Sequence, residues 1–469
     1  MTLHFPNINI KGDRARLLQP YRHATEALNA LVLPPGPQNK LRAPVLKGLT
    51  AGRVDAWDAA FATLGLRFAR EGFFAPTNAF LVALDREGFV PASLSTETGA
   101  WAGEERASAP LLSFAEWELY RARGNRERLA HALPLLASDF DWREQHQRLP
   151  NGLYAGTPEA YRLGVTSRFW MGGKFNADGA IKASWVDASC LQALHARCLM
   201  DIAHELGERE LAARFEWAMR DLSSKINALL WSDGDGWYFD LDEKGTRLGV
   251  RSLASFWAII STVAPMARAE RQIGALSDVT KFERAHPYST LSASEREYRG
   301  RDGRPLGVAR SDFNVIGYEA LHALERGAQA DFNAEDHLAR VSRVLADTHE
   351  LFLAYDPDRD QPVSQADGAT GANASLTAAL MVHIALTYLV GLRPHAGKGE
   401  LQLHLRLRDA FSVEGYPFNG GSVMIEAQAV GAARRKLEVM TDVPLKLRVR
   451  TSERTETHDL SPGSHSLQA

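Results

Sequence analysis

Apolar residues return at helical spacing in one segment after another, which predicts helices over 13–32, 52–70, 73–86, 108–123, 126–146, 185–206, 208–231, 252–265, 267–278, 309–326, 333–353 and 373–391. The segments come in pairs. "ELGERELAARF" turns one helix into the next through Gly207, and "ARGNRERLAHAL" does the same through Gly124 and Asn125. Long polar stretches rich in Gly, Pro and aromatics lie between alternate pairs, at 87–107, 147–184, 232–251, 279–308 and 354–372. A compact domain tolerates such loops mainly where they carry function. Six hairpins closed into a ring would gather them at one mouth around a pocket; an open solenoid would leave them incidental. Beyond Pro394 the period changes to two, in "LQLHLRL", "SVMIEAQAV", "KLEVMTDV" and "LKLRVRT", with turns at "NGG" and "SPGS". The expected architecture is mainly α, a toroid of six helical hairpins over 1–395 followed by a small β-domain over 396–469.

Composition narrows the partners. Lys and Arg total 54 against 57 Asp and Glu, so no overall basic field marks a nucleic-acid binder. No segment approaches the roughly 20 apolar residues that span a bilayer, and the first residues lack a charged head followed by an apolar run, so a soluble, cytoplasmic protein is expected. Cys190 and Cys198 are eight apart in one predicted helix, about 12 Å by helical rise, too far for a disulfide. No His-Glu-x-x-His or zinc-spaced Cys pair occurs, and "YDPDRDQPVSQADG" lacks the glycine and terminal glutamate of a calcium loop, so no metal is expected. No glycine-rich phosphate loop follows a strand, so no nucleotide cofactor is expected either.

Several loops suit a sugar. Trp57 beside Asp58 pairs an apolar plate for a pyranose face with an acceptor for hydroxyl hydrogens, and Trp170, Trp185 and Asp187 repeat the combination. The structural alternative is that the tryptophans are core and that Asp58 and Asp187 serve the starts of their helices.

Read in order, "AWDAAF" at 56–61, "DREGFVP" at 85–91, "SAPLLSFAEWELY" at 108–120 and "SWVDASCLQALHARCLMDIAHELG" at 184–207 form a collinear series. It continues through "KINALLWSDGDGWYFDLD" at 225–242, "VRSLASF" at 250–256, "DFNVIGYEAL" at 312–321 and "YDPDRDQPV" at 355–363. The series resembles the (α/α)6-toroid glycoside hydrolases: trehalase, the processing α-glucosidases and the mannosylglycerate and glucosylglycerate hydrolases. The resemblance implies a general acid four residues before Arg168 and a base two before Tyr355. Those positions hold Gly164 and Leu353. It also implies an aromatic where Arg310 stands, a Trp at Leu376 and a Gln at Ala109. Scaffold motifs are kept while pocket motifs are altered, the mark of a pocket refitted for another ligand.

Three functions follow. The first is hydrolysis of a small glycoside or oligosaccharide by displaced groups, with Asp312, Asp367 and Tyr355 as the catalytic candidates and Glu159, Glu350 and Asp58 nearby. Its substrate would meet Trp57, Asp58, Tyr161, Arg168, Trp170, Asp187, Arg310 and Asn314. The second is β-elimination from a uronate, which needs a cation on the carboxylate and a base at the α-carbon. Arg162, Arg168 and Arg310 with Tyr161, Tyr288, His286 and Tyr355 would supply them. The third is a sugar-binding protein without activity. Arg310 is expected to fork onto a substrate carboxylate, because Asp312, two residues on, would point away from it on a helix.

Overall fold

In the computed structural model of the chain all residues are described except 1, 49, 72–75, 103–106, 157, 163–182, 297, 300–306, 364–373, 431–433 and 469; residues 158, 159, 429, 430 and 434 are described by their backbone alone. The helices in chain order are α1 (Gln19–Leu31), α2 (Ala56–Leu66), α3 (Asn78–Glu87), α4 (Leu112–Arg123), α5 (Arg126–His146) and α6 (Val186–Leu206). There follow α7 (Arg209–Leu229), α8 (Trp257–Ile260, entered through a 3-10 turn at Leu253–Phe256), α9 (Met266–Ile273), α10 (Ser311–Ala323), α11 (Gly327–Thr348) and α12 (Ser375–Ile384). Among the described residues between α5 and α6 there is one helical turn, Pro158–Tyr161.

Even-numbered helices form a closed inner ring: α2 packs on α4, α4 on α6, α6 on α8, α8 on α10, α10 on α12, and α12 returns to α2. Their sequences require this position. In α2 every residue except Asp58 is buried, and all of α12 is buried, as expected for helices that are apolar around their whole circumference. Outer helices carry one stripe. In α7 the buried residues are Ala212, Phe215, Leu222 and Ile226, spaced to face one side. The hairpin turns sit where the sequence puts them. Gly124 and Gly207 take φ of 69° and 86°, the left-handed conformation that ends a helix, and Asn125 accepts from the Arg128 N–H at 2.9 Å to cap α5. The ring closes through its chain ends, since α1 packs on α12 and α11. Both cysteines are buried and free.

The C-terminal region is two sheets. Strands are β1 (Asn7–Ile10), β2 (Leu392–His395), β3 (Glu400–His404), β4 (Phe411–Phe418), β5 (Gly421–Val430), β6 (Arg434–Thr441), β7 (Leu445–Arg450), β8 (Thr455–Leu460) and β9 (Gly463–Gln468). One sheet runs β1-β4-β5-β6-β9 and the other β2-β3-β7-β8. β1 was not expected there. It pairs antiparallel with β4, Ile8 opposite Val413 and Ile10 opposite Phe411, so the N-terminus belongs to the β-region rather than to the toroid. Ile8 and Ile10 are 3% and 2% exposed, which anchors the strand by burial of alternate residues.

Candidate active site

Two short strand pairs aim the site. Arg53–Asp55 pairs with Ser93–Ser95 and delivers Asp55 as the extended residue before α2. Ala309–Arg310 pairs with Ala354–Tyr355 and delivers Arg310 as the extended residue before α10. The first turns of two inner helices then carry Trp57 and Asp58 on one side of the ring and Asp312 on another.

These groups meet. The Trp57 indole N–H donates to Asp312 Oδ2 at 2.9 Å, across 255 residues of sequence. Arg310 donates from Nε to Asp312 Oδ1 at 3.0 Å and from Nη2 to Oδ2 at 2.8 Å, while its guanidinium carbon lies 4.7 Å from the centre of the Phe313 ring. Arg162, at φ 55° just after the Pro158–Tyr161 turn, places Nη2 2.9 Å from Asp55 Oδ2 and 3.6 Å from Asp58 Oδ1. Arg53 donates to the other Asp55 oxygen at 3.0 Å. Asp58, with its side chain 15% exposed, borders a small crevice with Val45, Lys47, Phe80 and Ser375. Its Oδ1 is buried and accepts no hydrogen bond among the described residues. Burial pushes the Asp58 carboxyl up to about 6; the neighbouring Asp55 and Asp312 charges push the same way, and Arg162 and Arg310 pull it down without prevailing.

The expectation for Arg310 therefore needs correcting. Asp312 does not point away from it: Arg310 is the extended residue just ahead of the helix, so the rule for two residues on one helix does not govern the pair. The buried guanidinium finds its anion inside the protein. Asp312 in turn has both oxygens engaged, by Trp57 and Arg310. Trp57 is 3% exposed and packs on Phe61 at 5.1 Å, a core placement rather than an open plate.

Other candidates lie elsewhere. Asn314 turns to the outer layer, accepting from the Tyr288 N–H at 2.5 Å and meeting His337 Nδ1 at 3.0 Å, so it does not join Asp58 and Asp312. Tyr355 is 1% exposed, its hydroxyl accepts from the Phe352 N–H at 3.2 Å, its ring stacks on His286 at 5.1 Å, and burial holds its ionisation above the ordinary tyrosine range. Burial likewise raises Tyr288, and pushes His286 down to about 4. All three side chains are buried, at 0–1% exposure, and none of them joins the cluster around Asp58 and Asp312. Tyr161 is buried edge-on against Trp185 at 6.0 Å, with Gly156 beneath both rings: a Cβ there would lie 2.3 Å from the Trp185 ring. Asp187, 1% exposed, accepts from the Ala188 N–H at 2.9 Å in the first turn of α6. Leu353, Leu376 and Ala109 are buried apolar residues. Arg168, Trp170, Asp367 and Gly164 lie outside the described residues, and so does the side chain of Glu159. Among the described residues no group of three or more His, Cys, Asp or Glu is placed to hold a metal, and no helix is long and apolar enough to cross a membrane.

Asp55 and Arg162 complete the cluster; Arg162 was expected only as a cation for a substrate carboxylate, and Asp55 was not among the sequence-derived site residues. The signal for Asp55 was present in "VDAWD", where two aspartates three apart can serve one face of a helix start.

A closed double ring of helices with a carboxylate and arginine cluster where two inner helices begin defines a toroid of the glycoside hydrolase class. The chain belongs to the family described as the mannosylglycerate hydrolase MGH1-like glycoside hydrolase domain, whose model matches residues 54–303. An uncharacterized protein of Borreliella burgdorferi is 28% identical over 242 residues, 52% of this chain and 48% of that protein, so the match spans about half the length of that relative. Among solved structures, a sialidase superposes with a TM-score of 0.71 at 12% identity over 93% of this chain and 40% of its own. The mannosylglycerate hydrolase of Thermus thermophilus, solved with glucose, superposes with a TM-score of 0.60 at 17% identity over 78% of this chain and 99% of its own. Both likenesses concern the fold.

Proposed function

We propose that the protein hydrolyses the glycosidic bond of a small glycoside, with Asp58 as the proton donor. The observation that carries this is the Asp58 carboxyl itself: held up to about 6, with a buried oxygen that no described residue hydrogen-bonds, it keeps a proton in the range where a glycosidase acid must. In this reading the Asp58 proton passes to the departing oxygen as the bond to the anomeric carbon breaks. A water adds to that carbon and gives up its proton to a second carboxylate, for which Asp367 is the candidate. Arg162, 3.6 Å from Asp58 Oδ1, is its nearest charged partner, and the charges of Asp55, Asp312 and Arg310 bear on its ionisation. Family membership and the toroid support the reaction class. The internal pairing of Arg310 and Arg162 removes the reason to require an acidic substrate. Incubation with a panel of neutral and acidic glycosides, products read by mass, tests the proposal. Two saturated sugars with one added water are expected; a product absorbing in the near ultraviolet, or no turnover of any member, would overturn it.

A further inference from the structure

The four-stranded sheet presents a polar face that the toroid only partly covers. Leu401, Leu403, Leu447 and Val449 point into the core, all at most 2% exposed. Strand alternation then sends Gln402, His404, Arg448 and Arg450 to the opposite face. Register gathers them: Arg393 lies opposite Gln402, Gln402 opposite Arg448, His404 opposite Arg450, and Arg450 opposite Thr455. These six residues form one wall of a cleft of about 380 Å³, and His322 and Glu325, at the end of α10 and just beyond it, form the other. That volume falls within the roughly 300–1,000 Å³ of small-molecule sites.

Three arginines and one carboxylate, Glu325, line the cleft. Asp331 takes up the imidazoles, with His404 Nδ1 2.7 Å and His322 Nε2 3.4 Å from its oxygens. Arg393 is 3.6 Å from Glu319 and lies over the Tyr388 ring at 5.2 Å, yet its Nη2 is buried with no hydrogen-bond partner among the described residues. Arg448 and Arg450 are exposed, and among the described residues no carboxylate lies within ion-pair distance of either. Two like charges at successive same-face positions of β7, with a third across β3 on β2, repel one another. A planar oxyanion would relieve that repulsion, since guanidinium forks match carboxylate and phosphate oxygens. Gln402, Thr455 and Glu325 add neutral and acidic partners suited to hydroxyl groups.

We infer that this cleft between the toroid and the β-sheet is a second ligand site, taking an oxyanion carried on a hydroxylated small molecule. Calorimetric titration of the full chain at constant ionic strength tests it, with glucose 6-phosphate, glucuronate, inorganic phosphate and glucose as probes. At least one sugar anion should bind more tightly than inorganic phosphate, with glucose showing no heat; the stronger of the two sugar arms identifies phosphate or carboxylate as the head group. Arg448→Gln/Arg450→Gln, both at exposed positions, should weaken that binding at least tenfold while leaving glycoside turnover unchanged. Absence of binding by both sugar anions, inorganic phosphate binding as well as they do, or affinity unchanged in the double variant would overturn the inference.

Discussion

Arg310 grips both oxygens of Asp312, two residues further along the chain, at 3.0 and 2.8 Å, and the pair is closed off by the Trp57 indole. Asp312 is buried, so the fork neutralises a charge that water does not reach. Breaking such a pair from one side leaves an uncompensated ion, at about 3–5 kcal/mol, whereas removing both partners is far milder. Arg310→Met should therefore lower the unfolding free energy in urea by that amount, and Arg310→Met/Asp312→Asn should recover a large part of it. A stability unchanged in Arg310→Met, with loss of activity confined to acidic substrates, would return Arg310 to the role of substrate clamp.

The indole contributes less. Trp57→Phe keeps the ring against Phe61 but withdraws one of the three donors to Asp312, whose Oδ2 still has Arg310. A loss of about 1–2 kcal/mol in urea unfolding is expected, with turnover reduced through a looser Asp312. If Trp57 instead stacked on the sugar, KM would rise with stability intact.

The ring was legible because period 3.6 is a local property: "AWDAAFATLGL" and "SLTAALMVHI" are apolar on every face, and only a helix walled in by others can be. The site was only partly legible because its contacts are not local. Trp57 and Asp312 touch across 255 residues, a relation no spacing encodes. Arg310 was misread for a one-residue reason: the helix starts at Ser311, so the face rule for helices did not apply to it. Strand β1 was missed although "NINI" alternates, because four residues ahead of a strong helical pattern carry little weight until the partner strand, some 400 residues away, is known.

Ring closure depends on a glycine. A Cβ on Gly65 of α2 would lie 1.8 Å from the carbonyl oxygen of Ala379 on α12, a backbone atom that cannot swing aside. Gly65→Ala should force the first and last inner helices apart and cost more than the roughly 1 kcal/mol that alanine's helix propensity returns. Thermal unfolding should shift down by several degrees at least. A rise in melting temperature would show that α2 and α12 do not pack as closely as described.

Asp58 yields the most direct test, because its ionisation reports on both stability and chemistry. Its folded carboxyl is raised from 3.8 to about 6, so the folded state holds the proton more tightly than the unfolded chain does. Stability contributed in this way is full at low pH and is lost as pH climbs through the window from about 4 to 6. A two-unit shift corresponds to at most about 3 kcal/mol, and Asp58→Asn, which cannot ionise, should remove that slope from the pH dependence of unfolding. The same group, acting as acid, should give kcat/KM a limb that declines above about pH 6. Asp58→Asn should then lose roughly a hundredfold or more in rate on an alkyl glycoside, and much less on an aryl glycoside whose leaving group departs without protonation. Should the variant fold, flatten the stability profile and still lose equally on both substrates, Asp58 would be a binding residue for the sugar hydroxyls and the proton would have to come from another group.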